Sequence, residues 1–284
     1  MSAILVTGAT GNVGAEVLRL LIARGADVRA GVRDVRRPLG AETVMLDFER
    51  PETFAAALRG IDQLFLMRPP AISNVARDVF PLIDAAKAAG VTHIVFLSIL
   101  GAEKMPVIPH RQIEAYLETS GIPYSFLRAS FFMQNLSTTH AAEIRERDEI
   151  FVPAGKGTTS FIDVRDLAEI AVKLMTEPLT PNQAYPLTGS EALDYYQVAA
   201  SFSEVLGRRI TYRSPGLLRF LLRQLQAGTP LGFALVMGGI YTTARLGKAG
   251  LVTPDAETLL GRAPRTMRGF IEESRAAWER SPEG

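Results

Sequence analysis

The chain has 284 residues, 47% of them hydrophobic, and a formal net charge of +1. That composition fits a fully cored α/β protein and argues against a nucleic-acid or acidic-surface partner. With no cysteine and with three scattered histidines (93, 110 and 140), disulfides and thiolate catalysis are excluded and no metal site is expected. The chain enters a core strand almost at once, leaving no room for a signal peptide, and its longest apolar stretch, 231–240, is too short to span a bilayer. A soluble, cytoplasmic protein with no membrane contact is expected.

The apolar run Ala3-Ile4-Leu5-Val6 reads as a strand buried on both faces. Val13, Val17, Leu20 and Leu21 follow at helical spacing, with Gly25 as the stop. Between them lies Gly8-Ala9-Thr10-Gly11-Asn12-Val13-Gly14, a G-x-x-G-x-x-G loop on a strand-to-helix turn. Gly8 permits the turn, Gly11 admits a pyrophosphate to the backbone, and Gly14 lets the helix pack against the sheet. The helix N-terminus offers open N–H groups and partial positive charge, so this loop is the expected dinucleotide site.

The second strand, 27–33, ends at Arg33-Asp34, about 20 residues past the last glycine, where the adenosine ribose is discriminated. Arg33 suits a 2′-phosphate and Asp34 a free 2′-hydroxyl; because arginine comes first, NADPH is favoured and NADH remains possible. A third strand, 43–46, closes on Asp47-Phe48, which either borders the adenine or merely begins the turn before Pro51. After a helix over 52–58, a fourth strand, 61–67, ends in Met67-Arg68-Pro69-Pro70. Proline cannot donate to a ladder, so the chain leaves the sheet there and lines the cofactor crevice.

Ser73 is placed as the cap of a helix whose apolar face is Val75, Val79, Leu82, Ile83 and Ala86. A fifth strand, 93–98, has Ser98 at its carboxyl end; a helix over 109–120 stops at Gly121; a sixth strand spans 122–128. These units predict a doubly wound α/β Rossmann fold with strand order 3-2-1-4-5-6. Phe131, Phe132 and Met133 emerge beyond it, either as a wall of a substrate pocket or as ordinary core. Asp163 is the expected cap of a further helix, 185–188 a further strand, and 195–206 a helix ended by Gly207. Residues 210–212 pair outside the main sheet. The remainder, 217–279, reads as helical pieces. The division expected is a nucleotide-binding core over 1–155 and, interwoven with it, a portion over 156–284 that completes the core and contributes a helical substrate part.

With the glycine loop, 93–98, Ser120-Gly121-Ile122-Pro123-Tyr124 and 161–166 in view, the chain resembles the NmrA-like atypical short-chain dehydrogenase/reductases, well over residues 1–190 and loosely beyond. It is most similar to the group holding NAD(P)H-dependent quinone reductases and triphenylmethane-dye reductases. The resemblance implies NADPH, or NADH, as cofactor and a small electrophilic aromatic acceptor; a monomer or homodimer is expected. It also poses a question, because short-chain dehydrogenases commonly act through Tyr-x-x-x-Lys. The lysines here are 87, 104, 156, 173 and 248, preceded four residues earlier by Ile83, Leu100, Val152, Glu169 and Ala244. The dyad is absent.

In its place the resembling family carries a lysine or histidine four residues before a glutamate, which falls on His110 and Glu114. At i and i+4 the two share a helix face, and a hydrogen bond between them would orient the imidazole. His110 is the expected catalytic residue, holding the ribose or supplying a proton; the alternative is a surface histidine. Ser98 is either a remnant of the family's catalytic serine or a strand-end residue facing the nicotinamide. A site without a strong general acid suits quinones, azo compounds and cationic dyes. Loss of the dyad also fits a non-catalytic nucleotide sensor of NmrA type, with 231–241 as its partner surface, or a reductase of a biosynthetic intermediate.

Overall fold

The computed structural model describes residues 2–177 and 180–280. Its elements begin β1 (Ile4–Val6), α1 (Asn12–Ala23), β2 (Val28–Val32), β3 (Glu42–Met45), α2 (Phe54–Ala57) and β4 (Gln63–Leu66). They continue through α3 (Val75–Asp78), α4 (Phe80–Ala88), β5 (His93–Ile99), α5 (Pro109–Ser120), β6 (Tyr124–Ala129) and β7 (Phe131–Phe132). Then come α6 (Ala141–Arg147), β8 (Glu149–Phe151), β9 (Thr159–Ile162), α7 (Val164–Thr176), β10 (Gln183–Leu187) and β11 (Ala192–Leu193). The chain closes with α8 (Tyr195–Leu206), β12 (Thr211–Arg213), α9 (Leu217–Gln226), α10 (Leu231–Arg245), α11 (Asp255–Leu260) and α12 (Met267–Glu273).

These elements fall into two compact units. The first comprises residues 1–129, 164–187 and 258–261, the second 130–163, 188–257 and 262–284.

The first unit is a doubly wound Rossmann fold. Its sheet runs β3-β2-β1-β4-β5-β6-β10, every neighbouring pair parallel. This is the expected 3-2-1-4-5-6 order with one strand added at the β6 edge. Strand β1 is buried along its whole length, as an apolar run flanked by strands on both sides must be. Because β2 and β4 lie on either side of β1, the winding reverses there, and a crevice opens at the carboxyl ends of the strands. Thr7 holds this point together: it is buried, its hydroxyl donates to the Phe65 carbonyl at 3.0 Å, and it accepts from the Met67 N–H at 2.8 Å. A continuous core on one side joins Ile94, Phe96, Ile113, Leu117 and Phe126.

Two local expectations change. The helix placed over 52–58 opens as a tight turn at Pro51–Thr53 before α2. The helix placed after Ser73 is two pieces, α3 and α4, broken where Pro81 removes an N–H and restrains the residue before it. Its cap is Asn74, whose side chain accepts from the Arg77 N–H at 3.1 Å, and not Ser73.

The second unit holds a three-stranded sheet, β11-β9-β7, and the parallel pair β8-β12, which is the pairing outside the main sheet anticipated near 210–212. Helix α8 starts with a capping box between Asp194 and Gln197 and ends at left-handed Gly207. Its core is aromatic. Trp278 is fully buried between the edges of Phe202 and Phe270, and its indole N–H donates to the Leu136 carbonyl at 3.0 Å. Trp278, two residues before the end of the described chain, is thereby part of this core.

Candidate active site

The glycine loop sits between β1 and α1, at the reversal point of the sheet. Gly11 is the N-cap of α1 and makes no side-chain cap, so the N–H groups of the first helical turn stay open. Ala9 and Val13 are buried, whereas Thr10 and Asn12 are exposed. Thus Ala9 and Val13 have no side chain turned out toward a ligand.

The three glycines differ in what forces them. A Cβ on Gly14 would lie 2.2 Å from the Gly8 carbonyl oxygen, so the helix could not seat on the turn. Gly8 has φ +62°, and its missing side chain is filled by the Met67 methyl. A Cβ on Gly11 would meet nothing closer than 3.4 Å. The fold requires glycine at 8 and 14; at 11 it does not, and the bare backbone there is left for an approaching ligand.

At the tip of β2, the N–H of Arg36 and its guanidinium grip Asp34, the side-chain contacts measuring 2.8 and 2.9 Å. These bonds hold the Asp34 carboxyl below the usual range. Arg33 is exposed and has no ion-pair or hydrogen-bond partner among the described residues. Of the two ribose candidates, the carboxylate is engaged and the arginine is available.

At the tip of β3, Asp47 Oδ1 accepts from the Glu49 N–H at 3.1 Å, the turn-forming role. Phe48 is 6% exposed and belongs to the core with Phe54 and Leu58. Its ring is thus mostly packed inside the unit, where apolar burial holds it. Beyond β4, Arg68 folds back so that one terminal nitrogen donates to the carbonyls of Pro69, Pro70 and Ile72. It stiffens the proline turn, which has few donors of its own.

The largest departures involve β5 and α5. Glu114 is 0% exposed, and its carboxylate does not bond to His110. Its Oε1 accepts from the Ser98 hydroxyl at 2.7 Å and from Arg128 Nε at 3.0 Å. Its Oε2 accepts from a terminal nitrogen of Arg128 at 2.9 Å and from Arg111 at 3.3 Å. The expected His110–Glu114 contact is therefore corrected: the carboxylate is drawn to a fork of donors that a neutral ring cannot match. Ser98 is corrected too. At 1% exposure, with its one proton given to Glu114, it is not placed as a proton donor to a substrate. Burial opposes the charge on Arg128, but Glu114 and Glu103 outweigh it and hold its pKa up.

His110 lies in the first turn of α5, partly buried, its ring 6.2 Å from that of Phe96. Desolvation, aided by the positive charge of Arg68, pushes its pKa down to about 4. At that pKa the imidazole is neutral at pH 7.

The residues expected to wall a substrate pocket belong to the second unit. Met133 is 1% exposed in its core, a correction. Phe131 is half-buried, with its ring edge-on to Phe161 at 5.6 Å and tilted against Tyr241 at 5.9 Å; Phe132 is half-buried without such a ring partner among the described residues. The 231–241 segment divides along α10: Ala234, Met237 and Tyr241 are core, and Leu231, Leu235, Val236 and Ile240 face outward. No cluster of metal-ligand type, and no helix long and apolar enough to cross a membrane, occurs among the described residues.

Sequence reasoning missed Arg128 altogether and gave Glu114 the wrong partner. The available signals were a charge inside the apolar strand Tyr124–Ala129 and an acid on the Ile113/Leu117 stripe of α5.

The NmrA-like family profile matches residues 1–243. The chain is 36% identical to an NAD(P)H azoreductase of Xenophilus azovorans, over 97% of this chain and 99% of that protein. Among solved structures, it resembles an NADPH-dependent quinone oxidoreductase from Escherichia coli complexed with NADPH. The TM-score is 0.86 at 26% identity, covering 95% of this chain and 99% of that one. It likewise resembles triphenylmethane reductase from Citrobacter sp. complexed with NADP(H), with a TM-score of 0.85 at 26% identity, covering 96% and 99%.

Proposed function

The chain belongs to the NmrA-like family, and from that premise we propose that it is an NAD(P)H-dependent reductase of electrophilic aromatic acceptors, of quinone, azo or cationic-dye type. The observation that carries this reading is Gly11, a glycine that no protein atom demands, at the open end of α1. The backbone there binds the pyrophosphate through the N–H groups of the first turn. Arg33, unpaired at the β2 tip, takes the 2′-phosphate and favours NADPH over NADH. Met67, Arg68 and Pro69 line the crevice beyond β4, and Asp47 borders the adenine with its second carboxylate oxygen.

His110, neutral and beside the crevice, hydrogen-bonds the nicotinamide ribose and orients that half of the cofactor. When bound, the reduced nicotinamide supplies the hydride. Ser98 gives its proton to Glu114 and the sequence has no Tyr-x-x-x-Lys, so the protein offers no strong acid, and solvent water protonates the product. Acceptors whose hydride-accepting centre is already electrophilic tolerate this arrangement, and ordinary ketones do not.

The test is the oxidation of NADPH and of NADH, separately, against a panel of quinones, azo dyes and triarylmethane dyes. Acceptor-dependent loss of reduced-nicotinamide absorbance, faster with NADPH, is the expected result. Tight binding of reduced cofactor that no acceptor consumes would overturn the reductase reading in favour of a nucleotide sensor.

A further inference from the structure

Glu114, fully buried, and Arg128, largely buried, form an ion pair that the reductase chemistry does not use. Arg128 meets the carboxylate side-on, Nε to one oxygen at 3.0 Å and a terminal nitrogen to the other at 2.9 Å. Ser98 and Arg111 complete the acceptor capacity of the two oxygens. The remaining terminal nitrogen of Arg128 lies 3.1 Å from Glu103 Oε2. Arg111 is held in turn by a two-point contact with Glu118, at 2.7 and 3.0 Å.

The positions of these partners along the chain give the network its meaning. Ser98 is near the end of β5, Glu103 lies in the turn Ala102–Lys104, and Glu114 is one helical turn beyond His110 on α5. Arg128 sits near the end of β6 and holds both Glu103, before the His110 turn, and Glu114, after it. The segment that carries His110 is therefore fastened on both sides to one guanidinium.

Stability does not account for the pair. Desolvating a carboxylate and a guanidinium is costly, and apolar side chains of similar volume commonly serve a core as well or better. On the same two elements Ile113, Leu117, Phe126 and Leu127 are all buried and apolar. What Glu114 has, and an apolar side chain lacks, is four directed hydrogen bonds, two of them from Arg128, that admit one arrangement of α5 against β5 and β6.

We propose that Glu114 and Arg128 are positioning residues that set the place of the His110 turn, and through it the grip on the nicotinamide half of the cofactor. The inference rests on the reading of the crevice as an NAD(P)H site.

The test compares wild type, the double variant Glu114→Leu/Arg128→Met and His110→Ala. It reads thermal midpoint together with calorimetric affinity for NADPH and for 2′,5′-ADP, which carries only the adenosine half. The double variant should unfold near the wild-type temperature and bind 2′,5′-ADP within about twofold, yet bind NADPH about tenfold more weakly. Placed on His110→Ala, it should add no further loss. Equal losses for both ligands, no loss for NADPH, or a full additional loss on His110→Ala would each overturn the proposal.

If the double variant does not fold, Arg128→Lys keeps the charge and removes the fork. It should show the same NADPH-selective loss, and unchanged NADPH affinity would overturn the proposal. Wild-type protein that binds no NADPH overturns the cofactor reading itself, whereas wild type that binds while the variants match it overturns the pair alone.

Discussion

The Ser98 hydroxyl donates to the Glu114 carboxylate across 2.7 Å, inside the protein, between the end of β5 and the middle of α5. A carboxylate has no proton to return, so the polarity of this bond is set, and the serine cannot act as an acid without breaking it. Ser98→Ala should consequently leave kcat within about fivefold of wild type, where loss of a general acid costs about 10²-fold or more. It should also lower stability by about 1 kcal/mol, the usual net worth of one hydrogen bond. Steady-state kinetics with a quinone acceptor and a denaturant titration check both numbers; a hundredfold fall in kcat would restore the serine to catalysis.

The two glycines at the start of α1 should separate cleanly by substitution. Gly14→Ala drives a Cβ to 2.2 Å from the Gly8 oxygen, and should destabilise the unit by about 3 kcal/mol or more. Gly11→Ala meets nothing closer than 3.4 Å and should leave the unfolding midpoint almost unchanged while weakening NADPH binding about tenfold or more. Circular dichroism melts alongside cofactor titration distinguish the two, and a Gly11→Ala protein with native affinity would remove the pyrophosphate from this loop.

Arg33 has no partner among the described residues to lose, so its truncation should be read only in ligand binding. A charge-assisted hydrogen bond to phosphate contributes about 1.5–3 kcal/mol, so Arg33→Ala should weaken NADPH about 10- to 100-fold. NADH, lacking the 2′-phosphate, should change by about twofold at most. Equal losses in the two titrations would place the phosphate elsewhere.

His110 gives a pH dependence of defined sign. Its folded pKa, about 4, lies below the ordinary 6.5, so between these values the unfolded chain binds more protons than the folded one. Stability should therefore fall as pH drops from 6.5 toward 4, and this contribution should be constant above 6.5. His110→Asn should flatten that slope. The kcat/KM profile should show no inflection near 6.5, since the ring is already neutral there; an inflection at 6.5 abolished by His110→Asn would mean that the imidazolium takes part.

Much of the Rossmann unit is written in local patterns. Apolar runs of strand length, a 3.6-residue stripe and the spacing of Gly8, Gly11 and Gly14 each depend on residues a few positions apart, and the α1, β5 and α5 segments follow from them. The missing tyrosine–lysine dyad is likewise a matter of spacing alone. The α3–α4 break was legible in principle from Pro81, because a missing N–H acts on its immediate neighbours.

The chemistry of the site was decided in three dimensions. Glu114 is four residues from His110 in sequence, but its carboxylate goes to Ser98 and Arg128, sixteen and fourteen residues away, because those donors converge on it from two strands. Phe48 and Met133 sit at the ends of strands, as crevice residues do, and were taken by the cores of their units. The neutrality of His110 comes from burial and from Arg68 on another strand's exit, neither of which spacing records. Periodicity encodes which face of an element is apolar; which polar atoms meet across elements depends on the packing of those faces, and that information exists only once the chain has folded.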